Sequence, residues 1–259
     1  MALNDFNDHS NDFSMLHALK SNWPNYLIEA WALGMFMCSA TFFAGLLGLP
    51  GWPGHAIGDP LLRRWLMGLA MGLTAVGLIY SGWGRRSGAH MNPAFTLTFL
   101  FLKKINRQDA AWYIVFQCLG GAAAMLLLKN LFPAFTAAPE VNFVQTQPGI
   151  AGVTGAFIAE ALISFGLVIT VLYSSNFEKT APFTGLFAGC LVMLYITVED
   201  PFSGMSMNPA RTLASSVAAG NFMHFWIYLS APLLGMLSAA KVWKVWICRK
   251  AEFRCGYHG

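Results

Sequence analysis

Residues 87–97 read SGAHMNPAFTL and residues 203–213 read SGMSMNPARTL. Eight of these eleven positions are identical, and Asn92 and Asn208 stand 116 residues apart. Self-similarity over so long a period marks an internal duplication. A second matched pair lies upstream of the first. Residues 26–30 read YLIEA and residues 157–161 read FIAEA, so Glu29 and Glu160 correspond as well.

The two copies are embedded in a very apolar chain. Of 259 residues, 56% are hydrophobic and 11% charged, against about a quarter charged in an average soluble domain. So few charges leave too little polar surface to cover a globule in water. Apolar blocks at about 25–48, 65–82, 110–131, 154–174, 183–198 and 222–247 approach the ~20 residues that a bilayer-spanning helix needs; the fifth is short. The chain therefore reads as an all-α membrane protein with six transmembrane helices, and no large soluble domain fits in the remainder. Each half holds a span with an early Glu, two further spans, and an Asn-Pro-Ala segment between the second and third. Three spans per half is an odd number, so the second half enters the bilayer from the opposite side, as an inverted repeat.

Asn is a strong helix N-cap and Pro is favoured at the first helical position. Asn92-Pro93-Ala94 and Asn208-Pro209-Ala210 thus each read as a helix start. From Asn92 to Leu102 the helix would run roughly 16 Å, about half of the ~30 Å hydrocarbon core. Two such half-helices starting near the midplane would meet by their N-termini. Each N-terminus carries roughly half a positive charge, and two aimed at one point repel cations. With the asparagine oxygen occupied as a cap, the amide is expected to stay free to donate into a lumen. A water held there by its oxygen would break a proton wire.

Threading six spans from a cytoplasmic N-terminus leaves twelve Lys and Arg on the cytoplasmic side and Arg63, Arg64 and Lys129 outside. This bias places both termini inside. Residues 1–22 lack a signal-peptide pattern and read as a disordered cytoplasmic tail. A membrane domain follows over 23–250, with repeat halves at about 25–131 and 154–247, and residues 251–259 read as a cytoplasmic C-terminal tail. The net charge of +4 does not point to nucleic acid, because the positive residues sit between spans. The cysteines lack metal-ligand spacing. No nucleotide-binding glycine motif or Ser-His-Asp set occurs, so neither an enzyme nor a cofactor or metal is expected.

Paired Asn-Pro-Ala motifs, with Arg211 after the second, resemble the aquaporin (major intrinsic protein) family over about residues 25–245. Segments 113–121 (YIVFQCLGG) and 226–235 (WIYLSAPLLG) are similar to that family's third and sixth spans. The resemblance implies six spans plus two half-helices, one pore per protomer, a homotetramer in a lipid bilayer such as the cell membrane, and passage of water or small neutral solutes. It also implies that Asn92 and Asn208 line the pore and that Arg211 stands at its constriction. The remaining constriction positions fall by family spacing on Ile196, Met205, and either Met71 or Gly72. Water-selective members commonly place a His where Ile196 stands, and glycerol-conducting members an Asp where Thr212 stands. The lead-ins to the motifs resemble the nodulin-type branch, with Met205 replacing a small residue. The filter thus looks wide and apolar, which favours glycerol-like solutes.

Three choices stay open from sequence. Glu29 and Glu160 are either proton relays or acceptors for irregular backbone that must be satisfied within the membrane. His90 lines the pore wall or is structural. An ion-coupled transporter with inverted repeats, a water-only channel and a closed structural pore are the alternatives to a solute channel.

Overall fold

The computed structural model describes residues 14–247. Among them the chain is helical, without strands. The helices are α1 (Met15–Gly48), α2 (Pro60–Tyr80), α3 (Gly82–Ser87), α4 (Pro93–Phe101), α5 (Arg107–Leu131), α6 (Pro133–Ala137), α7 (Gly152–Ser175), α8 (Thr184–Val198), α9 (Asp200–Ser203), α10 (Pro209–Ala219) and α11 (Phe225–Val242), the last continued by a π-helical turn over Trp243–Ile247. Six are long and apolar enough to cross a membrane: α1, α2, α5, α7, α8 with the turn before it, and α11 with its extension. Large apolar side chains such as Leu73, Leu119, Leu127, Leu162, Leu194 and Trp226 point outward from these helices. Polar residues, including Glu29, Gln117, Glu160 and Ser164, are fully buried inside. A water-soluble bundle has the opposite arrangement, whereas lipid accepts this one.

Helix starts follow local chemistry. Ser14 caps α1 by accepting from His17 N, Asp59 caps α2 through Leu61 N with Pro60 at the first position, and Asn106 caps α5 through Asp109 N. The α1 start corrects the expected tail, because Ser14 is a cap and residues 15–22 are helix; residues 1–13 lie outside the described residues, as do 248–259. The composition of 15–22 is misleading because its polar residues share the segment with docking contacts. Ala18 is fully buried, the Tyr26 hydroxyl donates to Ala18 O at 3.0 Å, and the Trp112 indole donates to Met15 O at 2.9 Å. The first turns of α1 are thus pinned to the start of α5.

The halves are built alike. α1 packs along α5, α7 along α11, and α2 along α8. Glycine permits the closest approaches. A Cβ on Gly120 would lie 2.2 Å from Ala30 O, and one on Gly235 would lie 2.1 Å from Ala161 O. Ala30 follows Glu29 and Ala161 follows Glu160, so the duplication extends to backbone packing. α4 and α10 are the half-helices, nine and eleven residues long, or roughly 14 and 16 Å. Each packs against the third long helix of the opposite half, α4 on α11 and α10 on α5. The inverted halves are thereby interlocked. Two of the three cations that run against the charge bias have a partner. Arg64 Nε donates to Thr197 O at 3.2 Å, and Lys129 Nζ donates to Ala218 O at 2.7 Å. Both satisfy carbonyls at helix C-terminal ends, where a cation is favoured.

Candidate functional site: a pore between two half-helices

Asn92 and Asn208 adopt extended backbone and cap α4 and α10. Asn92 Oδ1 accepts from Ala94 N at 2.9 Å, and Asn208 Oδ1 accepts from Ala210 N at 3.0 Å. The cap positions follow the sequence reading, but the amides are not entirely free. Asn92 Nδ2 donates to Met207 O at 2.7 Å, and Asn208 Nδ2 donates to Met91 O at 2.7 Å. One hydrogen of each amide crosses to the opposite half, and the second remains for the lumen. Sequence spacing could not show this, because Met207 and Met91 precede the partner asparagines rather than their own.

The lead-ins need support because their backbone is contorted. Gly88 and Gly204 take left-handed conformations (φ 86° and 77°), as do Ala89, Met91, Met205 and Met207 (φ 47°, 50°, 38° and 54°). Left-handed backbone in residues with a Cβ costs energy and must be imposed by surroundings. Glu29 and Glu160 supply that constraint. Glu29 accepts from Ser87 Oγ, His90 N, Met91 N and Gln117 Nε2 at 2.7, 3.0, 2.6 and 2.8 Å. Glu160 accepts from Ser203 Oγ, Ser206 N and Met207 N at 2.8, 2.7 and 2.7 Å. The Tyr113 hydroxyl donates to Ser87 O at 2.8 Å and the Tyr228 hydroxyl to Ser203 O at 2.6 Å. Every polar atom of these loops that binds a carboxylate in one half has its counterpart in the other.

A cavity of 1210 Å³ runs between the halves. Its lining reaches from Tyr80, Asn176 and Glu178 at one end, past His90, Asn92 and Asn208, to Arg211 and Asp200 at the other. Met71, Ile196 and Met205 line it as well. Gly72 does not. It faces α8, where a Cβ would lie 2.6 Å from Gly189 O. Of the two second-span alternatives, the cavity wall therefore carries Met71, and Gly72 belongs to the α2–α8 contact. His90 lines the cavity and its Nδ1 lies 3.1 Å from Thr96 Oγ1. It thus serves as wall and as structural contact together. Thr212, at the position weighed for an Asp, is fully buried, with its hydroxyl 2.6 Å from Ser206 Oγ and 3.0 Å from Thr146 Oγ1. It braces the second lead-in and is not part of the cavity wall.

Sequence reasoning missed the acids beside Arg211. Glu199 and Asp200 follow the C-terminal end of α8, beyond the last apolar turn. Burial pushes both carboxyls up. Arg211 and Arg64 pull Asp200 back down, whereas the neighbouring Glu160 and Asp200 carboxylates push Glu199 further, to about 8. The neighbouring Ser203 hydroxyl is the one group that pulls Glu199 down, and Nη1 of Arg211 is buried without a hydrogen-bond partner. The signal was present as two adjacent acids inside an otherwise apolar stretch, yet only the fold shows that Asp200 borders the cavity. In the loop before α7, Gly149 N and Ile150 N donate to Phe202 O and Pro201 O at 3.0 and 2.9 Å, which fastens that loop to α9. Among the described residues no group of His, Cys, Asp and Glu is arranged to hold a metal.

The major intrinsic protein family model matches residues 52–243. Aquaporin NIP3-1 of Zea mays is 36% identical over 171 residues, covering 66% of this chain and 55% of the relative. Aquaporin NIP6-1 of Arabidopsis thaliana is 34% identical over 172 residues, covering 66% and 54%. The chain thus spans about half the length of these curated relatives. Glycerol uptake facilitator protein-like 6 of Lactiplantibacillus plantarum is 33% identical over 181 residues, covering 67% of this chain and 81% of that one. The X-ray structure of the aquaglyceroporin from Plasmodium falciparum superposes with a TM-score of 0.75 at 20% identity, covering 89% of this chain and 98% of that one, and shows the shared fold. With the family model spanning most of the chain over a duplicated Asn-Pro-Ala core, the protein belongs to the major intrinsic protein family.

Proposed function

We propose that the protein is a passive, multi-pass membrane channel for water and small uncharged solutes of the glycerol class, and that it excludes ions and protons. The observation that carries this reading is the single cavity lined by both capping asparagines and by Arg211. Two half-helix N-termini converge on it with like partial charge, which opposes cations. The remaining N–H of each asparagine holds a passing oxygen where the two half-helices meet, which opposes a proton wire. Met71, Ile196 and Met205 give the Arg211 end an apolar wall, along which the carbon backbone of a small polyol slides while its hydroxyls meet the guanidinium.

In this reading Glu29 and Glu160 are structural acids, since each is committed to donors of a lead-in loop. The protein sits in the cell membrane as a homotetramer with both termini in the cytoplasm. The family membership and the Lys and Arg bias support those assignments. No enzymatic activity is assigned. The test is light scattering from proteoliposomes challenged with water and glycerol gradients. Fast water flow and glycerol re-swelling above empty vesicles support the proposal. Water flow with no glycerol entry makes it a water-only channel, and no flux of either makes the pore closed.

A further inference from the structure

The C-terminal ends of α4 and α11 meet outside the pore lining. α4 packs on α11, and the Lys244 ammonium sits over the Phe101 ring, 5.0 Å from its centroid. Phe101, Val242 and Val245 are exposed at this junction, as are Lys103, Lys104, Lys241 and Lys244. A groove of 230 Å³ follows the same face of α11, lined by Ser238, Lys241, Val242 and Val245. Neither residues 99–108 nor residues 238–247 include an acid. The acid that follows Lys103 and Lys104, Asp109, already accepts from Asn22, Asn106 and the Tyr26 hydroxyl. Four ammonium groups thus rim an apolar surface, with no carboxylate of these segments to balance them.

The turn after α4 carries one of those charges at a cost. Lys103 N donates to Leu100 O and Lys104 N to Phe99 O, at 3.0 and 2.9 Å, the two bonds of a Schellman turn. The left-handed position of that turn is usually glycine, and the matching half-helix α10 does end on Gly220, at φ 69°. Here Lys103 takes it, at φ 58°. A residue with a Cβ is strained in this conformation and glycine is not. A cation is therefore kept at the rim in spite of the strain.

We infer that this junction binds an anionic phospholipid of the leaflet it faces. The head-group phosphate bonds to the four lysines, and an acyl chain lies along Phe101, Val242 and Val245. Two features select this occupant. The charges are all of one sign, which attracts a phosphate but repels the ammonium of a zwitterionic head. They also border apolar surface on a helix long enough to cross the bilayer, so the occupant brings an apolar part of its own. Basic sites beside membrane helices bind anionic head groups on this principle. The contact with Phe101 holds the Lys244 charge at the apolar edge, where a long cationic side chain otherwise reaches away to water. A lipid bound here clamps α4 of one half to α11 of the other.

The inference rests on the chain being a membrane protein and not on what its pore passes. Native mass spectrometry of the detergent-purified protein is run with phosphatidylglycerol, with phosphatidylcholine of the same acyl chains, and with inorganic phosphate. The parent retains phosphatidylglycerol about tenfold better than phosphatidylcholine, and phosphatidylglycerol raises its thermal midpoint. Each lysine lost lowers that retention about fivefold. Lys241→Gln and Lys244→Gln are therefore weakened, whereas Arg86→Gln, at an exposed cation on α3, is not. Lys103→Gly separates the charge from the fold. It relieves the turn, so its thermal midpoint without lipid equals or exceeds the parent's, yet its lipid retention falls with the others. Equal retention of the two lipids, or parent-like retention in Lys103→Gly and Lys244→Gln, overturns the site. Inorganic phosphate held as tightly as the lipid overturns the lipid assignment. Water flow into phosphatidylcholine vesicles is read separately, and its absence contradicts the channel while leaving the lipid site standing.

Discussion

Asn92 and Asn208 are tied to each other's half of the molecule by reciprocal bonds of equal length, each amide donating at 2.7 Å to the carbonyl just before the other asparagine. The bonds join two chain segments more than a hundred residues apart at the point where the half-helices meet. The caps set the helix starts, and the crossed amides set the distance between them. Pore geometry and folding stability are therefore coupled at the same two side chains.

Replacing either asparagine with Asp tests this coupling. Asp caps a helix as well as Asn does, so α4 and α10 still start. The crossing donor is lost, and a carboxylate then faces the carbonyl of Met207 or Met91. A buried acceptor left unpaired costs about 1–3 kcal/mol. Asn92→Asp and Asn208→Asp should each lower the thermal midpoint in detergent by a similar amount, and both should weaken cation exclusion in vesicles. A loss confined to one of the two would break the reciprocity.

Arg211→Val removes the one fixed positive charge on the cavity wall near Met205 and Ile196. It also opens space. Permeability to solutes larger than glycerol should rise severalfold, and cations should begin to leak as the repulsion is lost. An unchanged selectivity profile would place Arg211 away from the constriction.

Much of this site was legible in sequence. Asn92, Pro93, Asn208 and Pro209 announce helix starts by capping chemistry, and duplication shows that the two starts belong together. Glu29 and Glu160 could be matched but not interpreted, since a buried acid serves a relay or a backbone equally well until its donors are known. Met71 and Gly72 could not be told apart. Both suit an apolar helix, and the short α3, with Gly84 pressed against the carbonyl of Leu78, shifts the register that counting relies on. Asp200 was invisible as a wall residue because nothing local says that a helix end borders a cavity. Residues 15–22 looked like a tail because their anchors, Trp112 and the start of α5, lie far along the chain.

Glu160→Gln distinguishes the two roles left open for the buried acids. Gln has a single acceptor oxygen, while Ser203 Oγ, Ser206 N and Met207 N all donate here. Its NH₂ group would oppose one of them. The structural role predicts destabilisation of about 1–3 kcal/mol, seen as a lower thermal midpoint and a poorer yield of folded protein. A relay role predicts a stable protein whose proton movement alone is altered.

Ile196→His replaces part of the apolar wall of the cavity that Arg211 also lines with a polar ring. On the proposed reading glycerol loses the surface along which its carbon backbone would pass, whereas water needs none. Glycerol permeability should fall several times more than water permeability in the same vesicles. Equal reductions would mean that Ile196 acts only by volume.

The most direct test of a passive neutral pore is the rate of glycerol entry into proteoliposomes as its gradient is raised, with and without imposed sodium and proton gradients. A passive channel predicts entry that rises linearly with the gradient, is indifferent to both ions, and carries no current. Entry that saturates and follows an ion gradient would contradict it and make the protein a coupled transporter.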